Sequence, residues 1–223
     1  MTRAPRNRPM STASRRLLVL APPLVLGALE IGQPGVTPGT PIAATLMPMI
    51  GWWTTLHVAQ VPLFALLGLT VWLLVRDLEG RAPRVSGRAL AVFVVVYPAF
   101  DAAVGVGSGV VLRALAPATA EQMAAVEPSM QALFWGPVTG LMAMAGSLAW
   151  VMALIAAAWA WRGVGAPWAV VALLVASGLL LGFGHIRPFG PLACAALLLA
   201  AAWIESAGAR WRAARRAEPV GSP

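Results

Sequence analysis

The chain has 223 residues, of which 59% are hydrophobic and 11% charged, with a mean hydropathy of +0.78. Soluble domains run at about 45–50% apolar and about 25% charged, so this composition excludes an ordinary soluble domain and points to lipid. The net charge of +8 is carried on the basic side wholly by arginine, placed at the ends of apolar runs, which reads as topology-setting charge and not as a nucleic-acid surface.

Residues 1–16 are polar, contain five arginines and two prolines, and are expected to form a disordered basic segment. Leu17–Ile31 follows as a short apolar run interrupted by Pro22 and Pro23. No small-x-small cleavage site ends it, so an uncleaved first span is favoured over a signal peptide. Fifteen residues rise only ~22 Å as a helix, against a hydrocarbon core of ~30 Å. The span is therefore expected to be kinked or lengthened at an end. Gly32–Ile50 is rich in Pro and Gly and reads as a loop, its apolar second half lying on the membrane surface or folding back over the bundle.

The second span is Trp52–Val75 and the third Ala89–Leu112, joined by an arginine-bearing link at Arg76–Arg88. The segment Ala114–Gln131 carries Glu121 and Glu127 but no basic residue, and its Ala-Glu-Gln-Met-Ala-Ala stretch suits a short surface helix. The fourth span lies within Ala132–Trp161 and the fifth is about Pro167–Gly184. Gly136/Gly140 and Gly178/Gly182 are small-xxx-small pairs that let helices approach closely. A tight reversal leads to the sixth span, about Leu192–Ser206. The fold expected is all-α: a polytopic six-transmembrane-helix bundle over residues 17–206, followed by a basic, largely disordered tail over 207–223. Six crossings put fourteen of the sixteen arginines on the side of the termini, leaving Arg113 and Arg187 opposite. The positive-inside rule then makes both termini cytoplasmic. The lone Cys194, inside the sixth run, permits no intrachain disulfide and reads as a packing residue.

Ionisable residues inside spans cost ~2.5–3.5 kcal/mol at mid-helix on insertion scales and mark functional or paired positions. His57 lies about six residues inside the outer end of the second span, roughly 9 Å down. Asp101 lies about thirteen residues above the inner end of the third, which also leaves it roughly 10 Å from the outer face of a ~30 Å core. The two are level. Spacing by three or four puts Trp53, His57, Gln60 and Phe64 on one stripe, and Tyr97, Asp101, Gly105 and Ser108 on another. Pro98 frees the Val94 carbonyl and is expected to bend the third span near Asp101. Glu30 and His185 also belong to the outer half. So Glu30, His57, Asp101 and His185 are expected to converge on an outward-opening cavity, with Gln60 and Tyr97 as hydrogen-bonding neighbours.

A carboxylate beside an imidazole suits proton transfer near neutral pH. Its structural counterpart is a pair that pins two helices. No cofactor is called for by any compact motif. Two histidines and two carboxylates match the preferences of zinc or iron, and haem between His57 and His185 is compatible with their depths. Ser147 and Ser177 lack a nearby base in sequence, and no Gly-x-Ser-x-Gly signature occurs.

The segments Leu56–Phe64 (LHVAQVPLF) and Tyr97–Asp101 (YPAFD), with the glycine-rich half-span after them, resemble uncharacterised multipass membrane proteins of high-GC bacteria. That resemblance covers spans two to six and implies an architecture in the bacterial plasma membrane, with no activity attached. The leading functional expectation is a small transporter or proton-linked permease component whose protonatable site is His57 and Asp101. The alternatives are an intramembrane metal-dependent enzyme using His57, Asp101, His185 and Glu30, and a non-catalytic membrane scaffold. The partners expected are the lipid bilayer and a small solute or proton, with no nucleic acid.

Overall fold

The structure, a computed structural model, describes residues 10–217. The termini beyond these, including most of the expected basic segment and the end of the tail, lie outside the described residues. Among those described, every regular element is helical: α1 (Thr12–Ile31), α2 (Ile42–Leu46) and a 3₁₀ turn (Met47–Met49), α3 (Ile50–Val75), α4 (Arg81–Asp101), a π-helical turn (Ala102–Val106), α5 (Gly107–Ala114), α6 (Ala120–Trp135), α7 (Pro137–Gly163), α8 (Trp168–Phe183) and α9 (Phe189–Ala217).

Five helical segments are long and apolar enough to cross a membrane, on α1, α3, α4–α5, α7 and α9. The sixth expected span, α8, has 16 residues, a rise of ~24 Å that falls short of a ~30 Å core. Large apolar side chains stand exposed around the bundle, among them Leu24, Val58, Val95, Leu148, Leu179 and Leu199. In water such a girdle would drive association; in a bilayer it is the natural outer surface. The chain is a multipass helical membrane protein.

Several boundaries differ from expectation for local reasons. The helix α1 gains length at its N-terminus, where the Ser14 N–H donates to the Ser11 side chain, and it runs unbroken through Pro22 and Pro23. Pro22 cannot donate to Leu18, and the Thr70 hydroxyl of α3 fills in, donating to the Leu18 carbonyl at 3.1 Å. Arg81, Arg84 and Arg88, assigned to a link, lie in the first turns of α4, which begins after Gly80 at φ +112°, a left-handed conformation that favours glycine. The helix α9 continues to Ala217 through the arginines of the expected disordered tail. Gly136 is not a packing glycine. It is the extended residue before Pro137 that separates α6 from α7, and Gly140 has open space beside it. The second pair does pack: Gly178 meets Leu154 and Gly182 meets Val151, bringing α8 onto α7.

The main core is aromatic and alanine-rich, built on Phe64, Phe93, Trp150 and Trp161 with Leu174 and Leu197. At one end of the bundle Arg15 ties three helices together. It donates to Glu205 on α9 at 2.9 Å, to Asp77 after α3 at 3.2 Å and to the Leu73 carbonyl at 2.9 Å. The opposite end carries a second, smaller core, formed by Val36, Ile42, Leu46, Trp53, Leu112 and Met130. Here α2 packs on α6 as a cap. The start of α6 is fixed by a reciprocal Thr119–Gln122 capping box. Glu127 of α6 accepts from the Ile42 and Ala43 N–H groups at 2.7 and 3.0 Å, capping α2 from outside. Partial burial pushes the Glu127 carboxyl up, but those two N–H groups and Gln131 outweigh it and hold it below the usual carboxylate value.

Candidate functional site

Beneath the cap, three elements each deliver one donor group. On α3, His57 has Nδ1 2.8 Å from the Trp53 carbonyl. A carbonyl only accepts, so the ring proton sits on Nδ1 and Nε2 presents its lone pair. That Nε2 stands 4.0 Å from Oδ1 of Asp101, the last residue of α4. In the turn between α8 and α9, His185 places its Nε2 3.8 Å from the same oxygen. Donor atoms of His57, Asp101 and His185 all lie within 4.8 Å of one another. His57 and Asp101 are buried and His185 nearly so.

The surroundings set these orientations. Tyr97, one turn before Asp101, places its hydroxyl 2.9 Å from His185 Nδ1 and so aims the other nitrogen at Asp101. The Phe64 ring stands edge-on to both Tyr97 and His185, at centroid distances of 4.9 and 5.6 Å. Past Asp101 the chain takes its π-helical turn, a form that recurs at functional sites. Inside that turn Gly105 lets the His57 ring lie directly against the backbone, since a Cβ there would overlap the ring. The Trp53 indole N–H donates to the Gly105 carbonyl at 2.8 Å and to the Ser108 hydroxyl at 3.0 Å, locking α3 to the turn.

One of the expected residues goes elsewhere. Glu30 does not join the three donors. It accepts from Gln60 Nε2 at 2.9 Å, and Gln60 also donates to Gln33 Oε1 at 2.8 Å. The reason is position: Gln60 lies a turn further from the cap than His57 and takes the carboxyl of α1 for itself. Gln33, which patterning did not single out, lines the cavity beside the donors. Its only signal in the sequence is its spacing of three from Glu30.

The cavity has a volume of about 260 Å³. Its inner wall is polar, with Gln33, His57, Tyr97, Asp101 and His185; the remainder is chiefly apolar. On the far side of Tyr97, Phe93 stacks on the Tyr97 ring at 5.3 Å and Trp150 lies tilted against Phe93 at 4.6 Å; these rings and Phe64 are buried.

Two imidazoles and one carboxylate, with a side left open to a cavity, form a donor set that suits zinc or ferrous iron. Around zinc, with bonds of ~2.1 Å, donor atoms stand about 3.4 Å apart. The observed spacing therefore asks for an inward closure of about an ångström, within reach of side-chain torsions. Three further features fit a cation. The Asp101 Oδ2 atom is buried without a hydrogen-bond partner among the described residues. His57 is anchored through its other nitrogen to a backbone carbonyl, as metal-binding histidines are. His185 is anchored the same way to a hydroxyl. At about 260 Å³ the cavity does not enclose a porphyrin, being below the ~300–1,000 Å³ of pockets that enclose drug-sized ligands.

No family model, no curated protein and no solved structure matches this chain. The fold and the site therefore stand on their own geometry.

Proposed function

We propose that this protein is a membrane-embedded, metal-dependent enzyme in which His57, Asp101 and His185 hold one zinc or ferrous ion. The observation that carries the reading is the convergence of three donor atoms from three separate elements within 4.8 Å, both imidazoles being fixed through their far nitrogens. On this ground we favour the metal-dependent enzyme over the proton-linked transporter. The buried rings of Phe64, Phe93 and Trp150 packed beyond Tyr97 favour a blind pocket over a conduit.

A cation held there supplies Lewis acidity, polarising a carbonyl or phosphoryl oxygen and activating water at neutral pH. The chain's own groups do the rest. The Trp53 carbonyl fixes the His57 tautomer, Tyr97 orients His185, and the free Asp101 oxygen is placed to accept a proton. Gln33, its oxygen engaged by Gln60, offers its NH₂ group to a substrate oxygen in the cavity.

The same proposal sets the chain in a bacterial plasma membrane with both termini cytoplasmic. The arginine asymmetry supports this sidedness: Arg15, Arg76 and Arg212 gather at one end of the bundle, and Arg113 and His185 lie at the other. The site then opens in the outer leaflet.

Elemental analysis of detergent-purified protein, prepared without chelator, tests the reading. Stoichiometric zinc or iron is expected, lost in His57→Ala and Asp101→Ala while the helical circular-dichroism spectrum persists. Wild-type protein that neither carries nor takes up either metal would refute it and return His57 and Asp101 to the proton-transfer reading.

A further inference from the structure

We infer that the pocket receives a phospholipid that enters sideways from the bilayer along α7, past the end of α8, its head reaching the three donors. This rests on the proposed metal-dependent enzyme only for what the head meets at the far end; the route follows from the wall of the cavity.

The closed part of that wall is buried, at Gln33, Trp53, His57, Tyr97 and Val104. Its other side is at the surface. Phe183, at the end of α8, lines the cavity and is 79% exposed, and Trp135 lines it and is 46% exposed. Between them Ala143 and Ser147, one turn apart on α7, line it half-buried. These residues border the exposed apolar stripe of α7 formed by Val138, Leu141, Met144, Leu148 and Met152. Leu179 and Phe183 continue that surface on α8. A mouth edged by such side chains opens to hydrocarbon, because the bilayer covers what they cover. The shortness of α8 is what leaves it: the helix ends at Phe183 while α7 runs on beside it.

Volume and polarity then select the occupant. About 260 Å³ is below the range that encloses a drug-sized molecule, so it holds a head or a glycerol-ester region and leaves acyl chains outside, along α7 and α8. Polar groups lie at the inner end and apolar ones at the mouth, the polarity of an amphiphile entering head first. Arg187 is exposed two residues after His185 and has no acidic partner among the described residues. A cation one residue beyond the cavity-lining Ile186 favours a phosphate-bearing head.

Reconstitution of the full chain into phosphatidylcholine–phosphatidylglycerol vesicles tests this. The vesicles carry a trace of phospholipid bearing a diazirine at the start of one acyl chain; after illumination, adducts are mapped by mass spectrometry and metal is measured on the same samples. Adducts are expected to concentrate on Ala143, Ser147 and Phe183 over the outward Leu199, and to be lost from these positions in Ser147→Trp, which fills the mouth. Metal content is expected to be unchanged in that variant. Adducts spread evenly over mouth and outward faces in the wild type would overturn lateral entry, whatever the metal content. Concentrated adducts on a metal-free wild-type protein would sustain lipid entry while the metal reading fails. The wild-type map decides without the variant, should Ser147→Trp not fold.

Discussion

Replacing Gly105 with alanine tests whether the His57 ring is held as tightly as the site requires. The added Cβ would stand 2.7 Å from His57 Cβ and closer still to the ring, where ordinary contacts begin at 3.4 Å. The His57 Cβ and the π-turn must therefore part by about 0.7 Å and the ring by more, an overpacking that typically costs about 1–3 kcal/mol. The same movement stretches the Trp53 indole bonds to the Gly105 carbonyl and Ser108, and a buried donor left unsatisfied adds about 1–3 kcal/mol. Together these lower the melting temperature by roughly 5–20 °C, at about 2–4 °C per kcal/mol for a chain of this size. Gly140→Ala is the matched control: its Cβ meets nothing within 4 Å, and exchanging Gly for Ala inside a helix gains about 0.5–1 kcal/mol. Thermal unfolding followed by intrinsic fluorescence in a fixed detergent, with metal content measured in parallel, reads both variants. A Gly105→Ala protein as stable and as metal-loaded as its parent would refute the packing argument and the positioning role of the π-turn.

Tyr97→Phe keeps the ring packing and removes the hydroxyl that aims His185. Metal affinity is expected to fall about 10–100-fold, as for other groups that support a ligand, with little change in melting temperature; a chelator competition titration measures it. At the cap, Glu127→Gln removes the charge that caps α2 and is expected to destabilise by about 1 kcal/mol at pH 7, the scale of a lost N-cap. The folded pKa of Glu127 lies below its unfolded value of about 4.3. Its contribution is therefore full above that value and is lost as pH falls through the lower, folded one. Melting temperatures of wild type and Glu127→Gln should converge only below about pH 4.3; a difference that stays constant through that range would count against the capping role.

What the sequence made legible was depth and face. Counting residues from the ends of two apolar runs put His57 and Asp101 level, and the three-and-four spacing turned both toward a common interior, where they stand 4.0 Å apart. His185, expected from counting at the same end of the bundle, stands 3.8 Å from Asp101. The partition of the polar groups into two clusters was not readable, because it depends on whether Gln60 reaches α1 or α4, a choice made by helix rotation in the packed bundle. The π-turn was foreshadowed by Pro98 only as a bend, since nothing local specifies the wider turn except the room that Gly105 gives. The Thr119–Gln122 pair is a capping-box pattern in the sequence itself and marks the start of α6, which runs 16 residues and is longer than the short surface helix that composition suggests. At Gly136 the small-residue spacing misled, because Pro137 makes that residue a helix start and takes it out of any packing stripe.

Trp53 couples the two storeys of the molecule. Its indole belongs to the cap core, while its main-chain oxygen holds the His57 proton and its ring lies 4.0 Å from the imidazole. The cap is thus geared to the chemistry below it: slackening of α2 against α6 would reach His57 through a single turn of α3. Grafting another loop in place of residues 33–49 would loosen that gear, even though none of the three donors would be touched.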